Sequence, residues 1–272
     1  MGPMTKKPTI QFSFEQNHVR VEAHEGALVN RLFGLLLALI VFFNIIDLTF
    51  NYQQSYPNAF RDFCNLARED SLAAWFSSFS LLLAASLVWL IVIVQKAQKA
   101  TRFKYLGWIF IALFFTYLGI DDATELHESV GTSFAEYFRT NPESKQGSFI
   151  YWLLDIFPSY NWQILFLPFF FCMAVFLLFF LWQELGTLDL RLSLILALGC
   201  FSLAVGLDYF EGRTSWHDGV AEGLSISTKS LKHYQRMLEE SLELLGAAIF
   251  FRTFLSHFIR ISGSFSVKFL RS

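Results

Sequence analysis

The chain has 272 residues, of which 54% are hydrophobic and 18% aromatic, while only 16% are charged and the net charge is -2. A soluble domain carries about a quarter charged residues, so this much apolar surface calls for lipid as its solvent, and the near-neutral balance excludes nucleic acid as a partner. Cys64, Cys172 and Cys200 lie far apart with no CxxC pair, so no disulfide framework can be read from them, and buried small hydrophobes are the expectation.

Residues 1–30 are mostly polar and lack the apolar core of a secretory signal. Within them, 9–16 and 18–23 alternate weakly, as a short hairpin does, and the whole reads as a small cytoplasmic arm. Six apolar stretches follow, at 32–50, 72–94, 105–121, 162–182, 192–209 and 238–259. Each approaches the roughly 20 residues that cross a hydrocarbon core about 30 Å thick. Runs this continuous are helices, because in lipid every backbone group must be satisfied within the element and barrel strands alternate. The expected fold is therefore an all-α integral membrane protein, a bundle of about six transmembrane helices over 31–262, with a tail at 263–272.

The connections differ. Residues 95–104 and 183–191 are short, whereas 51–71, 122–161 and 210–237 are long and polar. Lys and Arg concentrate in the arm, in the turn holding Lys96, Lys99, Arg102 and Lys104, and in the tail. With six spans these fall on one side, and the positive-inside bias puts both termini in the cytoplasm. Aromatic and polar residues mix along 129–159 (Phe134, Tyr137, Phe138, Trp152), which predicts an amphipathic helix on the outer membrane surface, placed to roof a site there.

Depth gives the functional signal. Counting from the last cytoplasmic basic residue of each span, Asp47 is 16 residues from Arg31, Asp121 is 17 from Lys104, Asp208 is 17 from Arg191, and Glu243 is 17 from Arg260. At 1.5 Å per residue, four helices place a carboxylate about 24–26 Å above the inner anchors. One turn further out stand Asn51, Glu125, Glu211 and the pair Glu239 and Glu240. Asp121, Glu125 and Glu128 share one helical stripe by their spacing, as do Asp208 with Glu211 and Glu240 with Glu243, and His233 precedes Glu240 by seven residues. Acids at membrane depth are expensive and face a bundle interior, a partner or water. So many with few cations among them need protons or bound cations.

His127, His217 and His233 lie toward the same end, which tilts the expected cofactor toward zinc, iron or manganese rather than calcium. The candidate ligands are Asp121, Glu125, Glu128, Asp208, Glu211, Glu240, Glu243, His127, His217 and His233, with Asp47, Asn51 and Glu239 supporting. Arg252 lies eight residues inside Arg260. It either snorkels, serves as the anchor itself, or pairs with an acid, for which Glu184 is the one identified near that end.

The spacing of Glu125 with Glu128, Asp208 with Glu211 and Glu240 with Glu243 is similar to the Glu-x-x-His motif of ferritin-like di-iron proteins, but each pair here ends in a carboxylate. Ceramidase-type membrane zinc hydrolases use three His and seven spans. Three outer-side His are present here, without a His-x-x-x-His pair and with one helix fewer. Neither pattern covers the chain. Three functional readings follow: a membrane metalloprotein, which as an enzyme would act on a lipid or other amphiphile; a cation or proton transporter or channel; and a subunit of a larger membrane complex. Membrane lipid is the expected partner throughout, with homo-oligomers or other membrane subunits open.

Overall fold

The structure is a computed structural model that describes residues 11–15, 18–22, 25–51, 56–140, 149–157, 161–211, 214–262 and 266–268. It is a helical bundle in which six helices are long and apolar enough to cross a membrane. They are α1 (Glu25–Ile46, continued by a π-helical turn at Asp47–Asn51), α3 (Leu72–Ala97), α4 (Arg102–Thr124), α7 (Trp162–Glu184), α8 (Leu188–Glu211) and α10 (Thr228–Ser262). Four shorter helices, α2 (Asn58–Cys64), α5 (Leu126–Thr140), α6 (Phe149–Ile156) and α9 (Thr214–Leu224), fill the long connections.

The centre of the bundle is α10, which packs against α8, α3 and α1, while α3 pairs with α4. Close approach of these helices needs small side chains, since lipid offers no hydrophobic push to hold helices together. Ala84, Ala112, Ala197 and Ala247 supply them and are fully buried. Larger rings lock the interior: Phe115, Phe250 and Phe254 meet one another at centroid distances of 4.9, 5.1 and 5.6 Å. With 35 residues, α10 is about 52 Å long and outruns the hydrocarbon core, so its first turns stand clear of it.

Both termini lie at one end of the bundle. Strands β1 (Gln11–Glu15) and β2 (His18–Glu22) form the expected hairpin, and β3 (Ser266–Lys268) near the C-terminus adds to β2 as a third antiparallel strand. The all-α membrane bundle thus stands as expected, and the strands belong to the arm and tail outside it. At this end Gln98 donates to the Ile261 carbonyl at 2.7 Å, and Arg260 to Thr187 at 3.0 Å. Arg252 is paired, but not with Glu184, which Lys104 holds at 2.8 Å. Its partners are Asp189 at 3.3 Å and Ser193 at 2.8 Å, both on the first turns of α8, with Phe33 beneath the guanidinium. Asp189 is distant from Arg252 in sequence, and the short α7–α8 turn brings it back beside α10.

The opposite end carries the acids. Here α4 stops at Glu125, whose left-handed backbone (φ 50°) breaks the helix and sends α5 off at an angle. The amphipathic helix expected within 129–159 is α5, with Gly131 and Ala135 buried on one face and Glu136 and Arg139 exposed on the other. Gly131 is where it docks: a Cβ there would stand 2.3 Å from Trp162 N and 2.4 Å from Trp162 Cα. Residues 141–148 and 158–160 of that loop lie outside the described residues, as does most of the tail.

Candidate functional site

Between α3, α4, α7, α8 and α10 lies a cavity of about 210 Å³. Its end toward α5 is acidic. Asp121 and Glu125 come from α4, Glu128 from α5, Asp208 from α8, and Glu239, Glu240 and Glu243 from α10. Seven acids singled out by depth and spacing therefore share one cavity. Two more join them that depth and spacing miss. Asp122 enters from α4, held by Ser78 at 2.6 Å and Ser77 at 3.4 Å, and Glu69 comes from the segment before α3. The hint for Asp122 is the Ser77–Ser78 pair in an otherwise apolar helix turn. Nothing in the linear sequence ties Glu69 to this place.

Among the described residues, the lining holds nine carboxylates and one imidazole, His127. Its backbone N–H donates to Asp121 Oδ1 at 3.0 Å, and its Nδ1 lies 2.7 Å from Asp121 Oδ2. The ring contact is an ion pair by distance but is not aligned as a hydrogen bond, since Nδ1 has no hydrogen-bond partner by geometry. Burial works against the charged ring, and the Asp121 carboxylate outweighs it, raising the His127 pKa with help from Glu128 and Asp208. Burial also raises Glu128, with His127 opposing and Glu125 adding. Glu69 is largely exposed along its length, yet desolvation of its carboxyl, with Glu128, Glu125 and Asp122 nearby, pushes it up to about 7.

Asp208, Glu211 and Glu239 offer oxygens that all lie within 4.8 Å of one another, close enough to share one ion. Asp208 is oriented by Gln163, which donates to Oδ2 at 2.9 Å, and Glu211 by Arg236 at 2.6 Å. Glu239 Oε2 is buried with no hydrogen-bond partner. Another unpartnered atom belongs to Trp162, which lines the cavity, is 6% exposed, and leaves its Nε1–H without an acceptor.

The remaining candidates lie elsewhere. His217 is fully buried against Gln235 at 2.7 Å, and Gln235 in turn donates to the Leu207 carbonyl, so this imidazole ties α9 to α10 and α8. His233 stands 2.8 Å from Asp47 and 3.2 Å from Asn51. Neither histidine lines the cavity, and neither do Asp47, Asn51 or Glu211, although Glu211 stands next to the lining residues Asp208 and Glu239. Equal depth brought Asp121, Asp208 and Glu243 together, but α1 lies on the far flank of α10, so Asp47 faces another interior.

The family described as Domain of unknown function (DUF8692) matches residues 32–258. The chain belongs to that family. Its match takes in all the cavity-lining residues, and the N-terminal hairpin and β3 fall outside it. No curated protein and no solved structure matches the chain.

Proposed function

We propose that this is a membrane-embedded metalloprotein that holds a divalent cation at the acidic end of its cavity, on Asp208 and Glu239 of the lining and on Glu211 beside them, and carries out metal-dependent chemistry on an amphiphile. The observation that carries the reading is the imbalance of nine carboxylates and one histidine around a single cavity. Like charges so close cannot all stay ionised without protons or a bound cation. The donor set is nearly all oxygen once His217 and His233 are placed elsewhere, so among zinc, iron and manganese the preference moves to manganese. A bound metal would acidify a water and Glu243 would be positioned to take its proton. The positive-inside bias would put this end of the bundle on the outer face, with both termini cytoplasmic.

The transport alternative is disfavoured by what lies next to the cavity. Phe115, Phe250 and Phe254 form a buried cluster of rings between the acidic end of the cavity and the end that holds the termini, which a transported cation would have to pass. Elemental mass spectrometry of the purified protein tests the proposal. We expect near-stoichiometric metal in the wild type and its loss in both Asp208→Asn and Glu239→Gln, while His217→Ala retains it. A metal-free wild type that stays metal-free after dialysis against manganese would overturn it.

A further inference from the structure

The cavity is larger than a metal site needs, and its second half is of opposite character. A single water occupies about 15 Å³ by the same measure of volume, so 210 Å³ leaves most of the space beyond an ion and its waters. That remainder is walled by Phe114, Leu177, Leu198, Phe201 and Phe250. Water gains no hydrogen bonds against such a wall, and an apolar cavity takes apolar guests.

The polar end adds a second constraint. A buried N–H without an acceptor is costly, and Trp162, a lining residue of a chamber rich in acceptors, carries such a donor at Nε1. A metal ion cannot satisfy it. An oxygen on a ligand can. The acids at the same end exclude a free anionic head and suit a neutral or cationic one.

The wall between α4 and α7 is made of aromatic rings. Near the termini end these helices touch, since a Cβ on Gly107 would stand 2.2 Å from the Phe180 ring. Toward the cavity they are bridged by rings, Phe114 meeting Phe169 at 6.1 Å and Phe170 at 6.4 Å. Phe169 is 44% exposed on the bundle's outer surface while its neighbour Phe170 lines the cavity, so adjacent rings of α7 stand between the chamber and that surface.

We infer that the cavity binds a single-chain amphiphile with a neutral or cationic, oxygen-bearing head, its hydrocarbon tail among the α4, α7, α8 and α10 side chains and a head-group oxygen accepting from Trp162 Nε1–H. This inference rests on the proposed function for the role of the ligand, and not for its binding. The test uses the full chain in nanodiscs and a monoacylglycerol carrying a photoreactive diazirine in its tail, followed by peptide mapping. Labelling is expected on α7, α8 and α10 at cavity positions such as Phe170, Phe201 and Phe250, competed by unlabelled monoacylglycerol and not by an anionic lysophospholipid. Ala174→Trp and, separately, Leu198→Phe fill the apolar half and should lower this labelling at least about tenfold, without loss of bound metal. Trp162→Phe keeps the ring and removes the donor, and should weaken competition about five- to tenfold, the scale of one hydrogen bond. Labelling confined to lipid-facing residues such as Phe171 and Leu203, unchanged in the filled variants, would overturn the inference. Metal binding without cavity labelling defeats this inference alone, and cavity labelling without metal defeats the proposed function alone.

Discussion

Asp47 Oδ1 and His233 Nε2 lie 2.8 Å apart, joining the end of α1 to α10 across 186 residues of sequence. Asp47 is fully buried, opens a π-helical turn, and also accepts from the Leu66 backbone N–H at 2.6 Å. Such turns are rare and occur mostly as single-turn bulges in α-helices. Here the turn lets one carboxylate hold α1, the segment after α2, and α10 together.

His233→Ala leaves that carboxylate buried and short of a partner, which costs about 3 kcal/mol. A marked drop in unfolding midpoint in detergent is therefore expected, with bound metal unchanged because His233 does not line the cavity. His233→Gln, which keeps a donor, should recover part of the loss. Loss of metal in a still-folded His233→Ala protein would return this histidine to the metal site.

Gly131 and Trp162 define the contact between α5 and α7. The atoms that an added Cβ would meet are backbone, at 2.3 and 2.4 Å, so neither side can give by rotating a side chain. Gly131→Ala must move α5, and overpacking of this kind costs about 1–3 kcal/mol. Because α5 carries Glu128 and Trp162 lines the cavity, the same change should also weaken monoacylglycerol labelling. Gly199→Ala on α8, with nothing within 4 Å of its Cβ, is the control and should be neutral or slightly stabilising.

Much of this site is legible in the amino-acid sequence because depth in a membrane helix is a count of residues. Asp121, Asp208 and Glu243 are level for that reason alone, and they share one cavity. What a count does not contain is the angular position of each helix around the bundle. Asp47 has the right depth on the wrong flank of α10, and His233, one face of α10 away from Glu243, serves Asp47. Glu69 arrives through a loop of no fixed pitch, so neither depth nor period could place it. Arg252 shows the local version of the same limit: its acid, Asp189, sits across a helix turn that linear proximity to Arg252 does not reveal.

The crowded carboxylates also set a pH dependence. Glu69 has its pKa raised from 4.5 to about 7, and Glu128 is raised as well. Between those values the folded chain holds protons that the unfolded chain has released, so stability is full below about pH 4.5 and falls as pH rises toward 7. His127, raised above 6.5 by Asp121, acts in the same direction: its contribution is present below 6.5 and is lost as pH rises through its folded value. Arg236 opposes the effect at Glu69 without reversing it. Metal-free protein should therefore melt lower at pH 8 than at pH 5, and saturating manganese should shrink that difference by replacing the lost protons with a bound cation. A metal-free protein more stable at pH 8 would contradict the crowding.

The direction in which the cavity opens decides which leaflet supplies its ligand. The α3–α4 turn bears Lys96, Lys99, Arg102 and Lys104 and lies at the same end as the Gln98–Ile261 and Arg260–Thr187 contacts. Positive charge held next to a short turn resists translocation, so the proposed orientation would keep this end in the cytoplasm and turn Asp208, Glu239 and their neighbours outward. Replacing Cys64, Cys172 and Cys200 gives a background in which a single new thiol reports the side. Thr101→Cys, at the N-cap of α4, and Glu222→Cys, exposed on α9 beside the acidic end, are suitable positions. In sealed right-side-out vesicles a membrane-impermeant maleimide should label Glu222→Cys at once and Thr101→Cys only after permeabilisation. The opposite pattern would turn the bundle over, and the acids would then draw both cation and amphiphile from the cytoplasmic side.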